Sequence, residues 1–223
     1  MTDQLVVLLH LCDSLFPIGS FAHSDGLEAA TSGCDIQSAA DLRGWMDVTL
    51  SEMLRRGEGP AVARAWNFVN DRQFDALAAL DNEVYALRPT STGRESTRAM
   101  GSRLLKTWQR IRPGDSVGLA FPERTPLTLP VAFGAVAAVS GIPIRATLEG
   151  FIYTRLAATV SAAMRLMPLG QFEGHTLLAE ALARVPTLAA DVLDDDGPLG
   201  AFTPILDVMV MRQQYVESRL FKS

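Results

Sequence analysis

The chain has 223 residues, 48% of them hydrophobic and 20% charged. That is enough apolar content for a sizeable core, since a chain of this length buries roughly 70% of its unfolded surface, and it excludes a mostly disordered chain. The formal net charge of −5 opposes a general nucleic-acid coat, which needs a basic surface. Two cysteines, Cys12 and Cys34, are too few for a disulfide framework and fit a reducing, cytoplasmic compartment.

Taken in chain order, Ala- and Leu-rich segments broken by Gly and Pro predict helices at 3–14, 24–32, 39–56, 60–70, 72–87, 93–111, 130–140, 144–167, 172–184, 187–193 and 204–220. Several starts carry a mechanism. Ser38 with Asp41, and Thr92 with Glu95, have capping-box spacing. Thr203 before Pro204 reads as a cap followed by proline at the first helical position, Pro143 opens the longest helix, and Pro168 closes it. In 144–167, Ile144, Leu148, Phe151, Ile152, Leu156 and Val160 recur at helical spacing, while Glu149, Arg155 and Arg165 lie off that stripe. These features predict an all-α fold: one domain over 1–223, a bundle of about ten helices around a central long helix.

No membrane span is expected. Thr125–Ile144 lacks charge, but Pro126, Pro130 and Pro143 reduce its helical part to Val131–Gly141, about half a bilayer crossing. The apolar Leu5–Leu11 has Asp3 and no base on its flank, so the charged start of a signal peptide is missing.

The common chemical motifs are missing too. There is no Gly-rich phosphate loop ending in Lys-Ser or Lys-Thr, no His-Glu-x-x-His, and no metal-ligand spacing of the cysteines. A calcium loop with its glycine at Gly197 would start at Val192 and end on Thr203 in place of a bidentate glutamate, so Asp194–Asp196 reads as a solvated acidic loop. His10 reads as a core or interface group and His175 as a surface one. His23, Ser24 and Asp25 are adjacent, whereas triad members normally come from separate segments. The plainer reading of that segment is a glycine-flanked turn with Ser24 capping the next helix. Arg88–Arg112 holds seven bases against Glu95, fanned over half a helix and read first as a solvated face, then as a surface for an acidic partner.

Three segments resemble one family. Phe16-Pro17-Ile18-Gly19-Ser20-Phe21-Ala22-His23-Ser24-Asp25-Gly26-Leu27-Glu28 resembles the N-terminal signature of UreF-type urease accessory proteins. Met164-Arg165-Leu166-Met167-Pro168-Leu169-Gly170-Gln171 is similar to that family's basic-Leu-x-Pro-Leu-Gly-Gln run, and Tyr215–Ser223 to its Ser-Arg-Leu-Phe-x-Ser ending. The resemblance implies an all-α, dimeric, cytoplasmic protein with no catalysis, cofactor or bound metal of its own. It also implies a chaperone-like role in nickel insertion and metallocentre assembly. Such a protein binds a UreD-type (also called UreH-type) partner, and the complex recruits a nickel-carrying UreG-type GTPase and serves apo-urease.

Partner-binding residues implied in this way are Phe21, His23, Glu28, Arg165, Gln171, Tyr215, Arg219, Leu220 and Phe221. Arg219 matches an arginine associated with the UreD-type contact, and His23 replaces the usual tyrosine. The tail Leu220–Ser223 either lies free and orders on binding or docks on its own domain. Two other readings stay beside this one: a small α-helical hydrolase using His23 and Ser24, and a nucleic-acid-binding regulator using 88–112.

Overall fold

A computed structural model describes residues 2–113 and 126–222, and the described residues contain helices and no strand. The α-helices are α1 (Thr2–Leu11), α2 (Leu27–Ser32), α3 (Ala39–Val48), α4 (Gly59–Asn70), α5 (Phe74–Ala86) and α6 (Ser91–Ile111). They continue with α7 (Leu129–Val139), α8 (Ile144–Leu166), α9 (Gln171–Leu182), α10 (Val185–Leu193) and α11 (Pro204–Arg212). A π-helical stretch, Thr49–Glu58, joins α3 to α4, and 3-10 turns occupy Ser20–Ala22 and Gln213–Tyr215. Thr125, at the edge of the uncharged stretch, and Ser223 of the tail lie outside the described residues.

Helix α7 explains the core. Residues 129–137 are all buried, between α4, α6 and α8. An enclosed helix must find partners for the free N–H groups of its first turn. Two buried polar side chains supply them: Asp81 Oδ1 of α5 accepts the Thr128 amide at 2.6 Å, and Thr97 Oγ1 of α6 accepts the Leu129 amide at 3.1 Å. Gly134 lets α7 lie against α4, because a Cβ there would sit 2.4 Å from the Val62 carbonyl oxygen. Long α8 turns Leu148, Phe151, Ile152, Leu156 and Val160 inward and packs on α1, α2, α4, α7, α9 and α10. The buried side chains form one contiguous cluster. No helix of the described residues is long and apolar enough to cross a membrane.

Three boundaries differ from expectation. Gly57-Glu58-Gly59-Pro60 does not break the chain, because the Gly59 amide reaches five residues back to Leu54 O and π geometry carries the axis into α4. Proline cannot donate to Arg56 O, and the Gly200 amide takes that carbonyl at 3.0 Å. Helix α6 starts earlier than Thr92 implies: Thr90 is its cap and accepts the Gly93 amide at 3.0 Å. The last helix ends at Arg212, and after the 3-10 turn Val216 is extended. The capping box at Ser38 and Asp41 is present as expected.

Candidate functional site

The first signature segment folds as a loop pinned at both ends. Phe16 is buried at its start, with Trp108 and His10 at ring distances of 5.9 and 5.5 Å. His10 itself is exposed and packs only its ring against this pair, and His175 is exposed. At the other end Asp25 and Gly26 both have left-handed backbone, φ 50° and 89°. Gly26 is needed for more than its φ, since a Cβ would stand 2.7 Å from the Val210 amide of α11. The chain then enters α2 with Gly26, not the expected Ser24, at the N-cap and no side-chain cap there; Ser24 Oγ, two residues upstream, accepts the Glu28 amide at 3.4 Å. Between the pins, Phe21 is 71% exposed.

Glu28 is the centre of the site. It is only 2% exposed, and its carboxyl oxygens accept from Gln213 Nε2 at 2.5 Å, the Leu220 amide at 2.5 Å and the Phe221 amide at 3.2 Å. A buried carboxyl group is tolerated when its lone pairs are satisfied in this way. Gln213 is held in turn by donation from the Ala29 amide to its Oε1 at 3.2 Å. One residue further, the Lys222 amide donates to Ala22 O at 2.7 Å. The second signature segment closes the ring: Arg165 Nη2 donates to Phe21 O at 3.0 Å, and its guanidinium lies 4.2 Å from the Phe221 ring centroid. The described tail is therefore docked, with Phe221 buried and Leu220 outward.

Of the nine residues singled out from sequence, Phe21, Glu28, Arg165, Leu220 and Phe221 meet in this assembly. His23 lies in the same loop, half-buried and extended. Burial lowers its pKa, opposed by Asp25 and reinforced by Arg103, Lys222 and Arg155. Tyr215 and Arg219 are exposed on the approach to the tail. Arg219 lines a cleft of about 220 Å³ with Lys222, Gln214 and the start of α6 at Thr90–Thr92. Gln171 is exposed at the first residue of α9, and no described hydrogen bond ties it to the others.

Sequence reasoning missed a charged cluster behind the loop. Arg155, although off the apolar stripe of α8, has a side chain 13% exposed. It donates to Asp25 and, at 3.0 Å, to Glu58 Oε2, and Arg88 completes the set on Glu58 Oε1. Burial alone would raise the Asp25 pKa, but the charges of Arg155 and Arg88 and the Arg155 hydrogen bond hold it well below the usual carboxylate range. Burial likewise works against the Arg155 charge, and Glu58 and Asp25 more than restore it. Asp25 is thus committed to a structural ion pair. The available signal was an arginine in the middle of α8 between Phe151-Ile152 and Leu156-Ala157, which has to be paired if it is buried.

The remaining chemistry is sparse. Much of the basic stretch is used internally: Arg88 on Glu58, Arg94 on Arg88 O, Arg98 on Asp81 and over Tyr85, and Arg103 on Ile18 O. Arg112 lies over Trp108. The described residues contain no group of three or more His, Cys, Asp or Glu able to hold a metal ion. Asp195 accepts the Gly197 amide at 2.8 Å, a turn contact within the acidic run. Cys12 and Cys34 are free, and burial pushes the Cys12 thiol up to about 12.

Residues 36–182 match the UreF family model. The chain is 34% identical to the urease accessory protein UreF of Azoarcus sp. strain BH72, over 98% of this chain and 95% of that protein. It is 32% identical to the urease accessory protein UreF of Azorhizobium caulinodans, over 93% and 90%. With the protein of that name from Haemophilus influenzae the figures are 29%, 100% and 97%. Matched by the family model across most of its helices, and by these relatives nearly end to end, the chain belongs to the UreF family of urease accessory proteins.

Proposed function

We propose that the chain is a cytoplasmic, non-catalytic scaffold of urease maturation. As a homodimer it binds a UreD/UreH-type accessory protein, and the complex recruits a UreG-type GTPase, regulates it and delivers nickel to apo-urease. The support is the convergence of the three segments that carry the resemblance. The loop at Phe21, Arg165 of α8 and the tail at Leu220–Phe221, remote in sequence, form one surface through Glu28 and Arg165. Exposed aromatic and arginine side chains around it (Phe21, Tyr215 and Arg219), with Leu220 beside them, include the types that anchor protein interfaces. A cleft with an activated nucleophile is what the hydrolase alternative needs, and Asp25 beside His23 is spent on Arg155.

The experiment is a reconstitution of apo-urease with nickel, bicarbonate, GTP and the UreD- and UreG-type proteins, with and without this chain. Urease activity is expected to appear only when the chain is present, and the isolated chain is expected to show no esterase or GTPase activity. Equal activation without the chain contradicts the reading. Hydrolysis by the isolated chain that disappears in His23→Ala favours the hydrolase.

A further inference from the structure

A second surface lies away from the tail, between α3 with the π-helical stretch on one side and the start of α11 on the other. It is an open groove of about 530 Å³. Trp45, Ile36, Leu206 and Met209 form its buried floor, and Phe202 and Ile205 stand on its wall, Ile205 68% exposed. Leu206 and Met209 are the inward stripe of α11. Ile205, Val208 and Met211 repeat every third residue on the outer side and prolong the apolar wall toward solvent. Apolar area presented in this continuous way marks an interaction surface.

Two observations specify the occupant. Every ionisable residue lining the groove is acidic: Asp35, Asp41 and Glu52. Asp41 takes its hydrogen bonds from the Gln37 and Ser38 amides and the Ser38 hydroxyl, which lower its pKa with no cation involved, so its charge stands unneutralised. Asp35 pairs loosely with Arg212 at 3.3 Å on the surface, and half-buried Glu52 accepts the Phe202 amide at 3.2 Å and pairs with Arg56 only at 3.5 Å; ion pairs this loose exchange at little cost. The second observation is Gly44. It sits inside α3 on the groove, and a Cβ there would meet nothing within 4 Å. Glycine in a helix interior is unfavourable, and nothing in this chain's own packing requires it. The gap it leaves lets another backbone come close.

We infer that this groove is a docking site for an amphipathic helix of a partner protein, with aliphatic or aromatic anchors at i, i+3 or i+4, and i+7 flanked by Lys or Arg. Helix-in-groove recognition uses that anchor spacing. The ten residues of α3 present a wall about 15 Å long, two to three turns of such a helix. The inference concerns a surface separate from the tail assembly and stands whether or not the scaffold reading holds.

The probe is a fluorescein-labelled synthetic peptide of roughly 18 residues, with leucines at that spacing and lysines on the flanks. Its controls are a scramble of the same composition and a version with Glu for Lys. Fluorescence anisotropy with the full chain is expected to give saturable, micromolar binding of the probe, with both controls about tenfold weaker. Gly44→Leu, which fills the gap and improves helix propensity, is expected to keep or raise the melting temperature and weaken the probe by about tenfold. Asp35→Asn with Glu52→Gln is expected to weaken it by about threefold and flatten its salt dependence. No saturable binding, equal binding of the scramble, or indifference to Gly44→Leu overturns the inference. So does a probe that fails to bind while light scattering shows a dimer split by Gly44→Leu, because a second copy then fills the groove.

Discussion

The amides of Leu220 and Phe221 both donate to the carboxyl group of Glu28, at 2.5 and 3.2 Å, across more than 190 positions of sequence. The ring of Phe221 is thereby set beneath the Arg165 guanidinium. One buried side chain of α2 thus fixes where the tail runs, and with it where Arg219 and Leu220 face outward.

Removing that side chain is expected to release the tail before it unfolds the domain. In Glu28→Ala the two tail amides have water available once the tail lifts, so the loss of global stability is limited to about 1–3 kcal/mol. Hydrogen exchange at Leu220 and Phe221 is expected to rise by orders of magnitude while the α7 amides keep their protection. Equal acceleration in both places means that Glu28 supports the core instead.

Arg155 offers a contrast, because its partner Glu58, with a side chain 9% exposed, stays inside when it goes. Arg155→Met leaves Glu58 and Asp25 facing each other with Arg88 as the remaining cation. A loss of about 3–5 kcal/mol in denaturant unfolding is expected, the usual range for breaking a buried pair from one side. Adding Glu58→Gln and Asp25→Asn to Arg155→Met is expected to recover a large part of it. A triple variant as unstable as the single one contradicts the assignment.

Acid tests the same cluster with a definite sign. The Asp25 pKa is depressed in the folded chain, so its contribution is fully present above the unfolded value of about 4 and is lost as pH falls below it toward the folded value. Asp25→Asn is expected to be less stable than the wild type at neutral pH and to lose less on acidification below pH 4. Melting curves across that interval measure the difference.

His23 gives a second, separate pH window. Burial lowers its pKa, so the folded chain favours neutral imidazole and stability falls as pH drops through the unfolded histidine value near 6.5. His23→Gln is expected to lose less melting temperature than the wild type between pH 7.5 and 5. Parallel losses mean that His23 is not the group responsible.

Two glycines separate packing from propensity. Gly134→Ala drives a methyl toward the Val62 carbonyl oxygen and is expected to destabilise by about 1–3 kcal/mol. Gly44→Ala meets nothing within 4 Å and is expected to stabilise by about 0.5–1 kcal/mol. The two melting temperatures move in opposite directions if the helix packing is as described.

Local signals carried the helices well. The box at Ser38 and Asp41 is made as its spacing implies, and α11 and α8 start at Thr203–Pro204 and at Pro143, although the Thr203 hydroxyl donates to Asp207 instead of capping and Pro143 is the N-cap. What escaped was set by long-range partners. Gly57 to Pro60 reads as a break, yet π geometry and the distant Gly200 amide make it continuous. Helical propensity past Arg212 yields to capture of the tail by Glu28. The family signature located Phe21, Glu28, Arg165 and the tail, and the fold adds how they touch. Arg155, Asp25, Glu58 and Arg88 lie on four separate segments, and no spacing rule links them.

In the proposed function, the surface built from the signature loop, Arg165 and the tail receives the UreD/UreH-type partner. Size-exclusion chromatography with light scattering tests this on the chain mixed with UreD- and UreG-type proteins, alongside Arg219→Ala and a chain ending at Arg219. A co-eluting complex is expected with the wild type, weakened by about tenfold or more in both variants, whose own helical content is unchanged. A complex that forms equally well with either variant, or none at micromolar concentration with the wild type, contradicts the claim.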